Sequence, residues 1–231
     1  MESTFNCCYR VQEIDLSGWN VSNWACTLLY STWSNCQAMR SLKVGTWDMT
    51  GTNKWKVTNI AYIFNECNNL EDSTFFNWNT KNWAITRMGY AFSSCYKLKE
   101  IDLTKWNKGT WDLANGTSHF NYLCRYCRSA KKIDISVINP TNILVANYGS
   151  NATDYTNFYE CNNLETLNLP ANYAGHLHFR YDYSLSRTEL VRIFNALPTA
   201  LEGAKIVITE MRYKLTTADI AIATNKGYTV S

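Results

Sequence analysis

The sequence lacks long apolar runs, and its longest ones, such as Ile206–Ile208, are only a few residues long. A membrane-spanning helix needs about 20 apolar residues, so we predict no insertion into a membrane. Charge is also scarce, because only 18% of the residues are charged and the net charge is +3. So small a positive excess argues against a nucleic-acid partner. The apolar fraction of 46% excludes a wholly disordered chain.

The amino terminus lacks the basic segment and following apolar stretch that mark a secretory signal. We therefore expect a protein without a signal, and a signal removed beforehand is the open alternative. The nine cysteines are an odd number, which fits poorly with a complete set of disulfides. Both features favour free thiols formed in a reducing compartment.

Signatures of catalysis and of metal binding are missing as well. No histidine among the three is spaced for a nucleophilic triad, and no Gly-x-Ser-x-Gly occurs. Cys124 and Cys127 form the only Cys-x-x-Cys, whereas a zinc site needs about four ligands. We predict no catalytic residue, no metal and no cofactor, and hence no enzyme. A carbohydrate-active enzyme is the outlying alternative, since two carboxylates can pair in space without a sequence motif.

The sequence contains an internal repeat of six units. In six segments a cysteine is followed six and eight positions later by two mostly apolar residues, and in five of them an aromatic residue lies three positions before the cysteine. The fifth segment has Cys124 in the aromatic position. The cysteines recur every 28 to 34 residues and form one column: Cys8, Cys36, Cys67, Cys95, Cys127 and Cys161. Tryptophan forms a second column in the first four units: Trp19, Trp47, Trp78 and Trp106.

Each unit predicts one short strand and one tight turn. The apolar pair alternates with period two, which is typical of a strand. The aromatic-x-x-Cys-x-x-Leu segment has apolar residues three apart, which favours a helical or 3₁₀ turn. Because a single unit cannot close a core, stacking must place each column against its copy in the next unit. We therefore predict that the cysteines, as thiols, and the tryptophans form a core ladder.

The repeat resembles the BspA-like leucine-rich repeats, most clearly in residues 57–70, in residues 85–98 and in Ile-Asp-Leu-Ser-Gly-Trp at 14–19. The resemblance covers roughly residues 5–170 and recurs six times. It implies a right-handed repeat solenoid of short parallel strands and helical turns, and a binding or adhesive role. Such repeats are known from bacterial and protist surface proteins and occur in bacteriophage proteins. The fifth unit departs from the pattern because it lacks the aromatic residue.

The segment beyond residue 170 contains no tryptophan, and sequence signals for helices begin there. Ser186 and Glu189 predict a capping box before an apolar stripe that ends at Pro198. Residues 205–209 predict a strand, and residues 217–226 predict a short helix closed by Gly227. We predict a six-unit array over residues 1–183 and an α/β capping unit over residues 184–231.

The outer side of the predicted strands carries an acidic stripe. In each strand, the residues before and between the apolar pair point outward, and six of these twelve positions are acidic. We predict that this stripe is a binding face, with ordinary solubilising charge as the alternative. The candidate residues are Glu13, Asp15, Asp72, Glu100, Asp102 and Asp134.

A short basic run gives a weaker signal. Four positive charges lie within eight residues, and the negative charge of the nearby Asp134 offsets one of them. Such runs are usually solvated faces, so this one is a weak candidate for an anion or nucleic-acid site. The residues are Arg125, Arg128, Lys131 and Lys132.

A secondary patch is predicted near the end of the array. His176 and His178 would share a face if the segment were a strand, and they could then seed a metal or sugar site. Tyr181 and Tyr183 complete the patch. The alternative, which we prefer, is a surface loop whose rings pack on the array.

The amino-terminal end is a candidate docking edge, represented by Phe5 and Val11. Solenoids need polar caps, and residues 1–4 are too few to cover the apolar side chains of the first unit. Exposed apolar surface of that extent usually marks an interface. The alternative is a first turn that folds back and closes its own core.

Together with the resemblance, these observations predict a non-enzymatic structural or binding module. A surface-type repeat without a signal suggests a bacteriophage virion component, such as a tail or head-fibre adhesin or a decoration protein, assembled in the host cytoplasm. A bacterial cell-surface adhesin whose signal was removed is the main alternative. The expected partners are other virion proteins or a second copy through the amino-terminal edge, and a host-surface glycan or protein.

Overall fold

The computed structural model describes residues 1–21, 24–45, 55–106, 121–138 and 157–231. Its strands are short, and both of its α-helices lie in the carboxy-terminal part. The strands are β1 (Glu13–Asp15), β2 (Cys26–Leu28), β3 (Ser41–Lys43), β4 (Trp55–Asn59), β5 (Glu100–Asp102), β6 (Lys132–Asp134), β7 (Thr166–Asn168), β8 (Leu177–His178), β9 (Lys205–Val207) and β10 (Thr229–Val230). The helices are α1 (Arg187–Ala196) and α2 (Thr217–Thr224).

The predicted strands of successive units pair in parallel and in register. Strand β1 pairs with β3, and β5, β6 and β7 form one sheet in that order. Their central apolar side chains are all buried, so each strand turns one residue toward the core. The register predicted from the repeat is confirmed at these positions: Ile14 lies beside Leu42, and Ile101 beside Ile133 and then Leu167.

The third unit departs from the prediction of a strand at residues 73–75. A 3₁₀-helix, Thr74–Asn77, takes its place. The carboxylate of Asp72 accepts hydrogen bonds from the Thr74 N–H (2.8 Å) and hydroxyl (3.0 Å), which turns the chain there. Successive side chains of a strand point to opposite faces. The helical turn instead buries both Phe75 and Phe76.

A second strand position, which the sequence analysis missed, lies ahead of the turn in the second and third units. Strand β2 pairs in parallel with β4, and Asn59 at the end of β4 forms a bridge with Arg87. Trp55 and Val57 are buried on β4, and Lys56 between them is exposed. This alternation is the strand signal that was available in the sequence.

The aromatic-x-x-Cys segments form single hydrogen-bonded turns that also join neighbouring units. The residue before each column cysteine has a positive φ, which costs a non-glycine residue roughly 1–2 kcal/mol. In this conformation its N–H donates to a carbonyl of the next unit, which offsets the cost. Three consecutive turns have this bond: Asn35 to Asn65 (2.7 Å), Glu66 to Ser93 (2.8 Å) and Ser94 to Arg125 (2.7 Å).

Asparagine side chains reinforce this stacking in the third and sixth units. The amide of Asn68 donates forward to the Ser94 carbonyl at 3.0 Å, and that of Asn69 donates backward to the Gln37 carbonyl at 2.8 Å. The sixth unit repeats the arrangement through Asn162 to Tyr181 and Asn163 to Arg128, both at 2.7 Å. The Cys-Asn-Asn sequence therefore ties one unit to both of its neighbours.

The cysteine column lies inside the stack. All nine cysteines are free; five column members are fully buried, and Cys8 in the first unit is half-buried. Cysteine suits this column because it is a small apolar residue with a weak S–H donor. Each buried column thiol donates to a main-chain carbonyl of the preceding unit at 3.0 to 3.2 Å: Cys36 to Phe5, Cys67 to Trp33, Cys95 to Phe64, Cys127 to Phe92 and Cys161 to Cys124.

The tryptophan column is only partly buried. Trp78 and Trp106 are buried, and Trp47 lies outside the described residues. The prediction is wrong for Trp19, whose side chain is 40% exposed. Its ring packs beside Phe5 (6.0 Å between ring centroids). Trp19 belongs to the first unit of the array, which has a neighbouring unit on one side only.

The capping unit continues the stack and closes the edge of the β5–β6–β7 sheet. Ser186 caps α1 by accepting from the Glu189 N–H at 3.1 Å, which is one half of the predicted capping box; the Glu189 carboxylate binds strand β7 instead of the Ser186 N–H. From α1, Glu189 accepts the Leu167 N–H (2.9 Å) and Arg192 donates to the Leu167 carbonyl (2.6 Å). These side chains satisfy the main chain of edge strand β7, which would otherwise be open to another strand. Strand β9 pairs between β8 and β10.

Candidate functional site

The six acidic candidates do not form a free acidic stripe. Glu13 forms an ion pair with Lys43 (2.9 Å), and Lys132 contacts both Glu100 (3.2 Å) and Asp102 (2.8 Å). Hydrogen bonds from Lys43 and Ser41 lower the pKa of Glu13. The lysines of adjacent strands therefore neutralise much of the charge that the sequence places on this face.

The aspartates of the stripe have a structural role. Each one accepts hydrogen bonds from the N–H and the hydroxyl of the residue two positions later, which turns the chain at that point. Asp102 and Asp134 are buried, so neither is freely exposed to a ligand. The pKa of Asp102 is still lowered, because hydrogen bonds from Lys132 and Thr104 outweigh the opposing effect of burial. The pairs are Asp15 with Ser17, Asp72 with Thr74, Asp102 with Thr104 and Asp134 with Ser136.

The predicted histidine patch is not one exposed surface. His178 is buried against the Tyr159 ring, at 5.5 Å between centroids. The Nδ1 atom of His176 accepts the Lys205 N–H at 3.0 Å, and burial together with Lys205 lowers the pKa of His176. Tyr183 is exposed. Because both imidazoles are engaged in the packing of β8, the four side chains do not converge on a ligand.

The amino-terminal edge is exposed, but less extensively than the sequence predicts. Ile14 and Leu16 of the first unit are buried, and Phe5 is half-buried and stacked on Trp33. Three other apolar side chains of this unit are exposed to solvent. We use the name amino-terminal edge for these: Tyr9, 51% exposed, Val11, 39% exposed, and Trp19.

A row of aromatic rings that the sequence analysis did not find runs along the turns. Tyr62 stacks on Tyr90 at 4.6 Å, and Tyr90 stacks on Tyr122 at 4.5 Å. The Arg125 guanidinium continues the row, within 4.5 to 5.1 Å of three tyrosine rings. At these distances the ring faces attract the cation. We call this row the tyrosine–arginine strip: Tyr62, Tyr90, Tyr122, Arg125, Tyr126, Tyr159 and Tyr181.

Arg125 differs from the two arginines beside the strip. Arg128 pairs with Glu160 at 2.7 Å, and Arg180 lies 4.0 Å from Glu210. Within the part of the chain that the structure describes, Arg125 has no carboxylate within 4.0 Å, and its buried Nε has no hydrogen-bond partner. Its Nη2 donates to the Tyr126 hydroxyl at 2.9 Å. The strip thus holds a half-buried cation whose charge is not neutralised by a described acidic residue.

The family model described as "Mycoplasma protein of unknown function, DUF285" matches residues 27–158. The chain belongs to this family. DUF285 is a family of BspA-like repeat proteins, so the resemblance in the repeats is confirmed at that level. The matched range contains four column cysteines and Arg125, whereas the amino-terminal edge and the capping unit lie outside it. No curated protein and no solved structure matches the chain.

Neither α-helix has the length and hydrophobicity of a membrane span. The described ranges contain no group of three or more histidine, cysteine or carboxylate side chains arranged to hold a metal ion.

Proposed function

We propose that this chain is a non-enzymatic structural and binding module, a right-handed repeat solenoid that serves in a bacteriophage virion as a tail or head-fibre adhesin or a decoration protein. Its nine free cysteines support folding in a reducing cytoplasm. That environment suits a virion protein better than the main alternative, a secreted bacterial adhesin. A carbohydrate-active enzyme is the outlying alternative, and release of reducing sugar from a host polysaccharide would favour it.

The proposed role in assembly rests on the amino-terminal edge. Of the six exposed large apolar side chains among the described residues, three belong to the first unit. The opposite end of the array is covered by α1 and the β8–β9–β10 sheet. Aromatic side chains are enriched where proteins bind each other. We propose that the edge docks onto another virion protein or onto a second copy of the chain.

Replacing Val11 by glutamate is expected to abolish this docking while leaving the fold intact, because the side chain is exposed. The measurement is the oligomeric state by sedimentation, together with incorporation into virions. Tyr213→Glu is the matched control, since Tyr213 is 82% exposed in the capping unit. Unchanged assembly of a folded Val11→Glu protein would contradict the docking proposal.

The tyrosine–arginine strip favours a second binding role, the recognition of an acidic host-surface glycan. A guanidinium binds carboxylate groups with paired hydrogen bonds. Hydrogen bonds to charged groups contribute about 1.5–3 kcal/mol, which corresponds to at least about tenfold in affinity. The predicted acidic face does not suit this role, because its carboxylates repel an acidic glycan and three of the six are ion-paired with Lys43 or Lys132.

Arg125→Gln is therefore expected to weaken binding to polysialic acid or polygalacturonate by at least about tenfold. Arg40→Gln removes the same charge from an exposed site outside the strip and should have little effect. Binding isotherms with these polymers, and with neutral dextran, provide the measurement. Equal losses in the two variants would show that only net charge matters, and no binding by the unmodified protein would also overturn the glycan proposal.

A further inference from the structure

A seventh turn of the repeat pattern lies at residues 179–185, with aspartate in place of cysteine. Phe179 stacks on Phe158 of the preceding turn, with centroids 6.1 Å apart. Tyr181 has the positive φ of the residue before a column cysteine, and the Asp182 N–H donates to the Phe179 carbonyl at 3.0 Å. Leu185 is buried three positions later. Asp182 therefore occupies the cysteine column.

The five buried thiols of the column share one role, which an ionised aspartate cannot perform. Each donates its S–H to a main-chain carbonyl of the preceding unit at the aromatic position. At the seventh position the corresponding acceptor is the Phe158 carbonyl. A carboxylate has no proton to donate, whereas a carboxylic acid has one O–H.

The surroundings of Asp182 offer an ionised carboxylate little compensation beyond the main chain of Cys161. The residue is fully buried, and neither side-chain oxygen has a hydrogen-bond partner. The acidic groups that face it are Glu160 of the sixth turn and Glu210 of the 3₁₀-helix Thr209–Lys214. The nearby cations are occupied, since Arg180 lies beside Glu210 and Lys214 donates to the carbonyls of Tyr183 and Leu185. The Cys161 thiol also faces it.

We propose that Asp182 is a neutral carboxylic acid in the folded protein, that its O–H donates to the Phe158 carbonyl, and that its ionisation loosens the capping unit from the array. On ionisation the proton passes to solvent. The carboxylate left behind then faces the lone pairs of a carbonyl in a buried column. The hydrogen bond from Asp182 to the Phe158 carbonyl therefore holds the capping unit on the array while Asp182 is protonated, and it is lost when Asp182 ionises. We call this hydrogen bond the latch.

The electrostatics agree with this geometry. Burial raises the pKa of Asp182 well above its usual value, the nearby Glu210 and Glu160 add to the rise, and the Cys161 backbone offsets it only in part. An aspartate in an unfolded chain titrates near pH 3.9. The folded state therefore retains a proton that the unfolded state releases. The stabilisation is complete below about pH 4 and is lost as the pH rises through the folded-state pKa.

Hydrogen exchange in the full-length chain tests the latch. Protection of the amides of α1 and of residues 209–214, corrected for intrinsic exchange, should fall with rising pH by up to about tenfold per pH unit, the slope for one proton. Asp182→Asn and Asp182→Cys cannot ionise in this way and should remove that part of the pH dependence. The cysteine variant is the matched control because it restores the residue of the column. Parallel pH profiles in the unmodified protein and both variants would overturn the proposal.

A second measurement keeps the proposal testable if the variants fold poorly. The carboxyl carbon of Asp182, followed by NMR in unmodified protein labelled with ¹³C-aspartate, reports protonation directly. We expect the resonance of a carboxylic acid at pH 6, where exposed aspartates are ionised. The resonance of an ionised carboxylate at pH 6 would refute the inference.

Discussion

Replacing Trp106 by alanine is expected to lower the free energy of unfolding by about 3–5 kcal/mol, the range for large truncations in a core. The side chain is 1% exposed and packs near the rings of Phe76 and Trp83, with centroids 5.7 Å away in each case. Its Nε1–H also donates to the Phe75 carbonyl at 3.0 Å. Alanine would leave a cavity and a buried carbonyl without that donor. Equilibrium denaturation of both proteins measures the loss.

Trp19→Ala is the matched control, because Trp19 occupies the same column of the repeat. Its greater exposure predicts a loss of no more than about 1 kcal/mol. The difference between the variants would measure how much stacking on both sides contributes to the tryptophan column. Similar losses in the two variants, or a loss below about 1 kcal/mol for Trp106→Ala, would contradict the placement of Trp106 in the core.

Thiol labelling is expected to divide the nine cysteines sharply. Cys7 is exposed and should react quickly with a bulky maleimide, and the half-buried Cys8 should react more slowly. The other seven are buried and should react only after unfolding. Burial raises the pKa of Cys67, Cys95 and Cys127, so the reactive thiolate is scarce there as well as shielded. Mass spectrometry of native and denatured samples counts the labelled thiols.

Cys7→Ser provides the control, since it should remove the fast phase and leave the slow ones unchanged. Denatured protein should release all nine thiols. Recovery of several intact disulfides from freshly purified native protein, or rapid labelling of many sites before unfolding, would contradict a column of buried thiols.

Local sequence signals were sufficient wherever a repeat position imposes the same requirement in each unit. The apolar pairs predicted the register of Ile101, Ile133 and Leu167, because a strand turns every second residue toward the core. Ser186 and Glu189 predicted the start of α1. The Asp-x-Ser/Thr turns and the alternation in β4 were also present as local signals, although both were missed. In the Asp-x-Ser/Thr turns an aspartate such as Asp102 accepts hydrogen bonds within its own chain, so its role is structural.

The burial and the electrostatic surroundings of each side chain depended on its position in the stack. The sequence of a single unit does not specify that position. Trp19 and Trp106 hold equivalent repeat positions, yet their burial differs because the number of neighbouring units differs. Arg125 belonged to an ordinary basic run until stacking added the Tyr159 ring of the next unit to the two tyrosine rings of its own turn. Asp182 matches the turn pattern in sequence, but only the stacked structure shows that its carboxyl group replaces a thiol in the core. Local periodicity determined the strands and turns, whereas burial and electrostatics were decided between units, because those contacts join residues far apart in the chain.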